Sequence, residues 1–479
     1  MTLRLSDRTV QRIPALLAVV GAGLILGVFV EPWLGWMCVG LSTALILRPF
    51  EPVTALATFA AAASFVNNEG GRVTRDLSVV TVVALYALLP IAAARMKGRW
   101  RAPAGPLAVA VLGFLAWTAV ETMRGLLAGY SVKFIALEVA ALGSIVYALL
   151  AGGLQVTTRE LRPALVVLML AGLGHVVLGV VSYVVNHIRT GGIWYTPLPG
   201  MLAVVALAFG ARARTLGARF GWSLLLALFL LHQTISFSRG FWLGLLVAIP
   251  FTAFMIAGVG PGAWARWRRV LAQGTVAVSA LVLLVLVTAV SMGWTDLPEL
   301  IGTRFGSSFS TQSTRSTSSN LERLMEYGAS FRHIRRNPIL GYGMGLVLHI
   351  KEPFRGLTTN QPFIHQTYLW LWLKQGLIGL ALYLALLVQA IRTAIAGARS
   401  PDREAAAWCQ AAAGATIYLA VVNLTTYHLA QVNSTVTEAL LWGFALSTTR
   451  PPHWRLVWNT RPAAASAVSK AQVLAESTP

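Results

Sequence analysis

The stretch ISFSRGFWLGLLVAIP, residues 235–250, sets a permanent positive charge, Arg239, between two apolar runs. A guanidinium there is costly unless it faces water or holds an anion. Its planar fork stays charged and grips phosphate oxygens two at a time, so phosphate binding is the chemistry it suits. Ser238 and Gly240 flank it as supporting positions. His232 lies seven residues earlier, on nearly the same helical face, and is placed to support the arginine.

A second group of residues lies in 293–366, a long polar stretch that carries Arg304, Arg315, Arg323, Arg332, Arg335, Arg336 and Arg355. Within STSSNLERLMEYGASFRHIRRNPILGYGMG, Ser319 and Glu322 read as a capping box that opens a helix. Leu321, Leu324, Met325, Gly328, Phe331 and Ile334 then share one face, which predicts an amphipathic helix on or near a membrane. Asn337-Pro338 stops it, and Gly341, Gly343 and Gly345 make a tight turn. This placement puts Arg323 in the first turn, beside free backbone N–H groups, where a cation is unfavourable unless an anion joins it.

The third element is NQPFIHQTYLWLWLKQGLIGL. Pro362 marks a helix start, which puts His365 in the first turn of the next apolar run. The positive helix end favours a neutral imidazole that can take a proton. Gln366 follows as a supporting amide. His333, His349, His187 and His428 are fallback bases. No D-x-D pair is present, and Glu322 and Glu326, at i and i+4, share a face on which Glu322 is already the cap. Arginines alone can neutralise a pyrophosphate, so neither metal nor cofactor is expected.

These residues need elements to hold them. The chain has 479 residues, 56% hydrophobic and 11% charged, with a mean hydropathy of +0.67. Soluble domains carry about a quarter charged residues. Apolar windows of about 20 residues recur throughout, which predicts an all-α polytopic membrane protein of 12–14 transmembrane helices. The windows are 13–30, 33–47, 53–66, 77–95, 106–123, 134–151, 161–185, 197–210, 221–237, 241–258, 269–292, 367–391, 405–424 and 434–447. Those at 53–66, 197–210 and 434–447 are short. No small-residue cleavage site follows the first window, which reads as a span rather than a removed signal.

The net charge of +21, from 38 basic and 17 acidic residues, could suggest nucleic acid. Its distribution excludes that partner, because the basic residues cluster in short loops: Arg95 to Arg101, Arg212 to Arg219, Arg266 to Arg269, and Arg392 to Arg403. These are cytoplasmic loops by the positive-inside rule, with both termini on the same side. The alternation then puts 293–366 outside, where arginines are unexpected on topological grounds and need a functional reason. Residues 1–292 read as an N-terminal transmembrane bundle, 293–366 as a periplasmic loop domain, 367–447 as C-terminal transmembrane helices, and 448–479 as a disordered cytoplasmic tail. Cys38 and Cys409 both sit in apolar windows as buried small hydrophobes, with no disulfide or zinc spacing. Glu121, Glu138, His175, His232, Lys374 and Glu438 fall inside apolar windows and are expected to face the bundle interior in structural pairs.

FSRGFWLG, the arginine-led helix ending in NP-x-x-G-x-G, and IHQTYLWLWLKQGLIGL with its G-x-x-G together resemble the O-antigen ligase/polymerase superfamily of bacterial inner-membrane glycosyltransferases. The likeness runs from Ser236 to about Leu380. It departs at Gln366, where the family often has Asn. The resemblance implies a GT-C-like fold and a donor glycan on undecaprenyl pyrophosphate, transferred at the periplasmic face to lipid A–core. In that scheme Arg239 and Arg323 hold the pyrophosphate and His365 is the general base of an inverting, metal-independent attack. An O-antigen polymerase or a protein O-oligosaccharyltransferase would use the same donor. A lipid-linked sugar flippase is the alternative from another class; it would concentrate ionisable groups at the midplane and show inverted repeats. A non-catalytic assembly subunit would not account for a histidine beside an arginine array.

Overall fold

The structure is a computed structural model that describes residues 51–64, 94–95, 97–186, 196–236, 238–258, 262–291, 314–351 and 358–449. The described residues form thirteen α-helices and one hairpin. In chain order the helices are α1 (Pro52–Ser64), α2 (Pro106–Leu127), α3 (Val132–Gly143), α4 (Tyr147–Gly153), α5 (Arg162–Asn186), α6 (Leu198–Arg212) and α7 (Leu216–Ile235). Then come α8 (Arg239–Ala257), α9 (Ala263–Ser291), α10 (Thr314–Ile334), α11 (Thr367–Gly397), α12 (Arg403–Val422) and α13 (Val432–Thr449). Strands β1 (Leu348–Lys351) and β2 (Thr358–Gln361) pair antiparallel between α10 and α11, with Leu348 opposite Gln361.

Eight helical segments among the described residues are long and apolar enough to cross a membrane, and α3 and α4 count as one through a 3-10 turn. The fold is an all-α polytopic membrane protein. Windows 13–30, 33–47 and nearly all of 77–95 lie outside the described residues, as does the tail from Arg450. The windows read as short correspond to α1, α6 and α13.

Burial separates lipid-facing helices from the centre. Helix α9 exposes Leu271, Val278, Val282, Leu283, Leu286 and Val287, as a helix facing lipid must. Helices α12 and α13 lie at the centre, around Trp408, Trp442 and Phe444. Because α13 meets protein rather than lipid, it can carry Asn433, Ser434, Thr435, Thr437 and Glu438 buried. Asn433, Ser434 and Thr435 find partners inside the bundle, as with Thr435 Oγ1 and the Gln431 carbonyl at 3.0 Å, whereas Thr437 Oγ1 and Glu438 Oε1 have none among the described residues.

The charged residues sort to one end. The C-termini of α4, α6, α8 and α11 and the N-termini of α5, α7, α9 and α12 converge where the basic loops lie. There Arg99 pairs with Glu160, and Arg162 with Glu404. The segment with α10 and the hairpin packs at the opposite end, as the alternation predicts, against the C-terminus of α2 and the N-termini of α3 and α11. Two contacts fix it: Met344 N–H donates to the Glu121 carbonyl at 3.0 Å, and Gly345 N–H to Glu138 Oε2 at 2.6 Å.

Helix α11 is broken at Gly376, with φ 66° and ψ −172°. The loop after α10 fills the break. Tyr342 and Gly343 donate to the carbonyls of Leu373 and Lys374 at 3.0 and 2.8 Å, and Leu377 donates to the Pro338 carbonyl at 2.9 Å. Non-helical backbone at membrane depth is tolerated where protein satisfies it. The Gly341–Gly343–Gly345 turn supplies that service, and all three glycines have positive φ.

Candidate active site

His365 lies just before α11, not in its first turn. Gln366 is the N-cap residue, and its side-chain oxygen accepts from Leu369 N–H. The amide read as a supporting site residue therefore holds a helix end. Helix α10 starts at Thr314, so Ser319 is interior to it rather than at its start, and Glu322 is exposed. Arg323 is in the third turn of α10. The expectation of an anion site at that helix's start fails for a physical reason: the polar run TRSTSSN continues the helix.

The same helix brings in a residue that sequence reasoning assigned no such part. Glu326, its side chain 5% exposed, faces His365. Both carboxylate oxygens stand 3.0 Å from His365 Nδ1, and Oε2 accepts from the His365 backbone N–H at 3.1 Å. A carboxylate can only accept, so in the neutral ring the proton sits on Nδ1 and Nε2 keeps its lone pair. The ring also packs edge-on against Tyr427, with centroids 5.5 Å apart. Tyr327 Oη donates to the His365 carbonyl at 3.3 Å. The available signal was spacing: Arg323, Glu326, Tyr327 and Ser330 recur at three and four residues, one helical face. Burial raises the Tyr327 phenol above its usual pKa, and the nearby charge of Arg323 opposes that shift. Arg323 thus borders the Tyr327–His365 contact.

Arg239 is the first residue of α8, after a tight corner from α7. In that corner Ser236 Oγ donates to the Gln233 carbonyl at 2.7 Å, and Trp242 Nε1 donates to the same carbonyl at 2.9 Å. Ser238 occupies the N-cap position without a side-chain capping bond. Arg239 is half-buried at the positive end of its helix, with no acidic partner among the described residues. The corner separates it from His232, which lies buried on α7 near His175. The shared-face argument for His232 does not hold, since the two residues stand on different helices.

One turn links the arginine corner to the histidine corner. A Cβ on Gly240 would come within 2.1 Å of Thr425 Oγ1, so only glycine lets α8 approach there. Phe241 stacks on His428 at 5.3 Å. From the other side, Thr367 N–H donates to the carbonyls of Asn423 and Thr426, both at 3.0 Å. Residues 423–428 thus position both corners, and nothing in their composition announced it.

Of the other in-span ionisable residues, Glu138, Lys374, Glu121 and His175 have partners, whereas the expected pairing fails for Glu438, whose buried Oε1 has no hydrogen-bond partner among the described residues. Glu138 and Lys374 pair at 2.6 Å, Glu121 pairs with Arg124 at 2.7 Å, and His175 Nε2 contacts Ser64 Oγ at 3.0 Å. Arg124 also donates to the carbonyls of Leu340 and Gly341. Among the fallback histidines, His428 is buried, His349 is exposed on β1, His333 Nδ1 faces the Ala329 carbonyl, and His187 lies outside the described residues.

The fold and this polar corner define a polytopic membrane protein with an arginine and histidine site at one end of its bundle. Residues 222–384 match the sequence model of the family described as O-antigen ligase. Over that segment the chain is similar to the O-antigen ligase family. No curated protein matches the chain. The matched segment contains Arg239, Arg323, Glu326 and His365, and it ends before the 423–428 turn.

Proposed function

We propose that this protein is an O-antigen ligase. It moves a glycan from undecaprenyl pyrophosphate to a sugar hydroxyl of lipid A–core, at the periplasmic face of a bacterial inner membrane. The supporting observation is the His365–Glu326 pair on the helix that carries Arg323, with Arg239 at a corner packed on the same 423–428 turn; neither arginine has an acidic partner among the described residues. Nε2 of His365 takes the proton of the acceptor hydroxyl. The oxygen attacks the anomeric carbon from the face opposite the leaving group and inverts it. The bond to the pyrophosphate oxygen breaks, and the departing pyrophosphate keeps the electron pair. Arg239 and Arg323 stabilise that charge, so the step needs no metal. Glu326 fixes the tautomer and steadies the imidazolium that forms.

The test is transfer by purified protein with defined donor and acceptor lipids. Arg239→Ala and Arg323→Ala abolish transfer, and lysine at either position restores part of it. EDTA leaves the wild-type rate unchanged. Normal turnover by Arg239→Ala, or loss of wild-type activity on chelation, overturns the scheme. Offering lipid A–core, a lipid-linked glycan and a peptide as acceptors separates ligase from polymerase and from oligosaccharyltransferase.

A further inference from the structure

The end of the bundle opposite the candidate active site holds a cavity of about 940 Å³ between α6, α7 and α9. Arg219 on α7 and Arg268 and Arg269 on α9 line it. The Nε groups of Arg219 and Arg269 donate to the Ala213 and Ala265 carbonyls at 3.0 and 3.3 Å, which holds both side chains in place and leaves their terminal nitrogens over. Two other arginines at this end are ion-paired, Arg99 with Glu160 and Arg162 with Glu404. No acid faces Arg219, Arg268 or Arg269 among the described residues.

The rest of the wall is apolar, and Phe220 and Val276 are exposed on it. Gln273 also lines it. Its Nε2 donates to the Ala206 carbonyl at 3.2 Å, while its buried Oε1 has no hydrogen-bond partner among the described residues. A positive-inside loop requires charge near the membrane; it does not require three arginines to converge on a cavity with apolar walls and a spare buried acceptor.

We infer that this cavity binds an anionic glycerophospholipid of the surrounding leaflet. The phosphodiester meets the three arginines, and the acyl chains lie along Phe220 and Val276. The site lies at the other end from the glycosyl-transfer residues and does not depend on the reading given to them.

Native mass spectrometry of the delipidated, detergent-solubilised protein tests it, with phosphatidylglycerol, phosphatidylcholine and inorganic phosphate as probes. Wild type retains phosphatidylglycerol in preference to phosphatidylcholine. Each arginine near an anionic headgroup is worth about a factor of five, so the R219Q/R268Q/R269Q protein binds it about a hundredfold more weakly. Val276→Trp fills the cavity, keeps every charge and also weakens binding. If both variants bind phosphatidylglycerol as wild type does, the inference is wrong. It is equally wrong if inorganic phosphate displaces the lipid at matched concentration, because the site then holds a free anion. Thermal midpoints of the lipid-free variants within the wild-type range exclude misfolding as the cause of weaker binding.

Discussion

Glu326 and His365 form the smallest unit whose behaviour the geometry predicts. A positioned base contributes about 10²–10⁴-fold to a proton transfer of this kind, so His365→Ala is expected to lose that much transfer while still binding the donor lipid. Glu326→Gln keeps the shape but can present an amide N–H to Nδ1 and so favour the wrong tautomer. It should lose most of the same factor, and the double variant should be little worse than either single one, because the two act as a unit. Additive losses in the transfer assay would show that Glu326 does something else. The buried Lys374–Glu138 pair makes a different prediction. Lys374→Met leaves a carboxylate unpaired in the bundle, which costs about 3–5 kcal/mol, and should lower the thermal midpoint sharply; adding Glu138→Gln should restore much of it. His365 and Arg239 were legible in sequence because a histidine before an apolar run and an arginine between two such runs are conspicuous. Glu326 was not, since its partner lies 39 residues away and only folding joins them.

At the scale of elements, two segments carry the arrangement: helix α10 and the broken helix α11. The apolar periodicity of α10 was readable, and so was its stop at Asn337-Pro338. Its start was not, because serines and threonines serve both as caps and as ordinary residues of a helix. The error moved Arg323 to a helix end it does not occupy, yet Arg323 keeps a place at the site through its face rather than through the dipole. The break in α11 was written as QGLIGL, although a glycine in an apolar run does not announce a kink. Gly376 adopts φ 66° and ψ −172°, a conformation essentially confined to glycine, and an added Cβ would stand 2.0 Å from the Ile339 carbonyl oxygen. Gly376→Ala must therefore expel the 338–345 loop from the break or unwind it. The expected result is faster proteolysis within that loop and loss of transfer, with the protein still membrane-inserted. Unchanged protection of the loop would mean that the break tolerates a side chain.

The whole molecule is polarised along its helix axes, and function depends on which end faces which compartment. One end gathers the short basic loops, with Arg212 bonded to Gln410 and Arg162 paired with Glu404. The other end gathers Arg239, Arg323, Glu326 and His365. Serial hydropathy and charge alternation predicted this division, because each loop alternates sides whatever the helices do between them. Window 134–151 corresponds to α3 and α4 together, and window 434–447 to α13, which is polar and nearly all buried. The polarity has a direct test. Glu322 is exposed on α10, and Gly217, near the start of α7, has open space beyond its Cβ. Each takes a reporter cysteine in a chain whose Cys38 is serine, and the native Cys409 is buried and unreactive. In intact spheroplasts a membrane-impermeant maleimide should label Glu322→Cys at once, and Gly217→Cys only after lysis. The opposite pattern would put the arginines and His365 in the cytoplasm. Their charge would then follow the ordinary topological bias, and the functional reason for an arginine-rich outer segment would disappear with it.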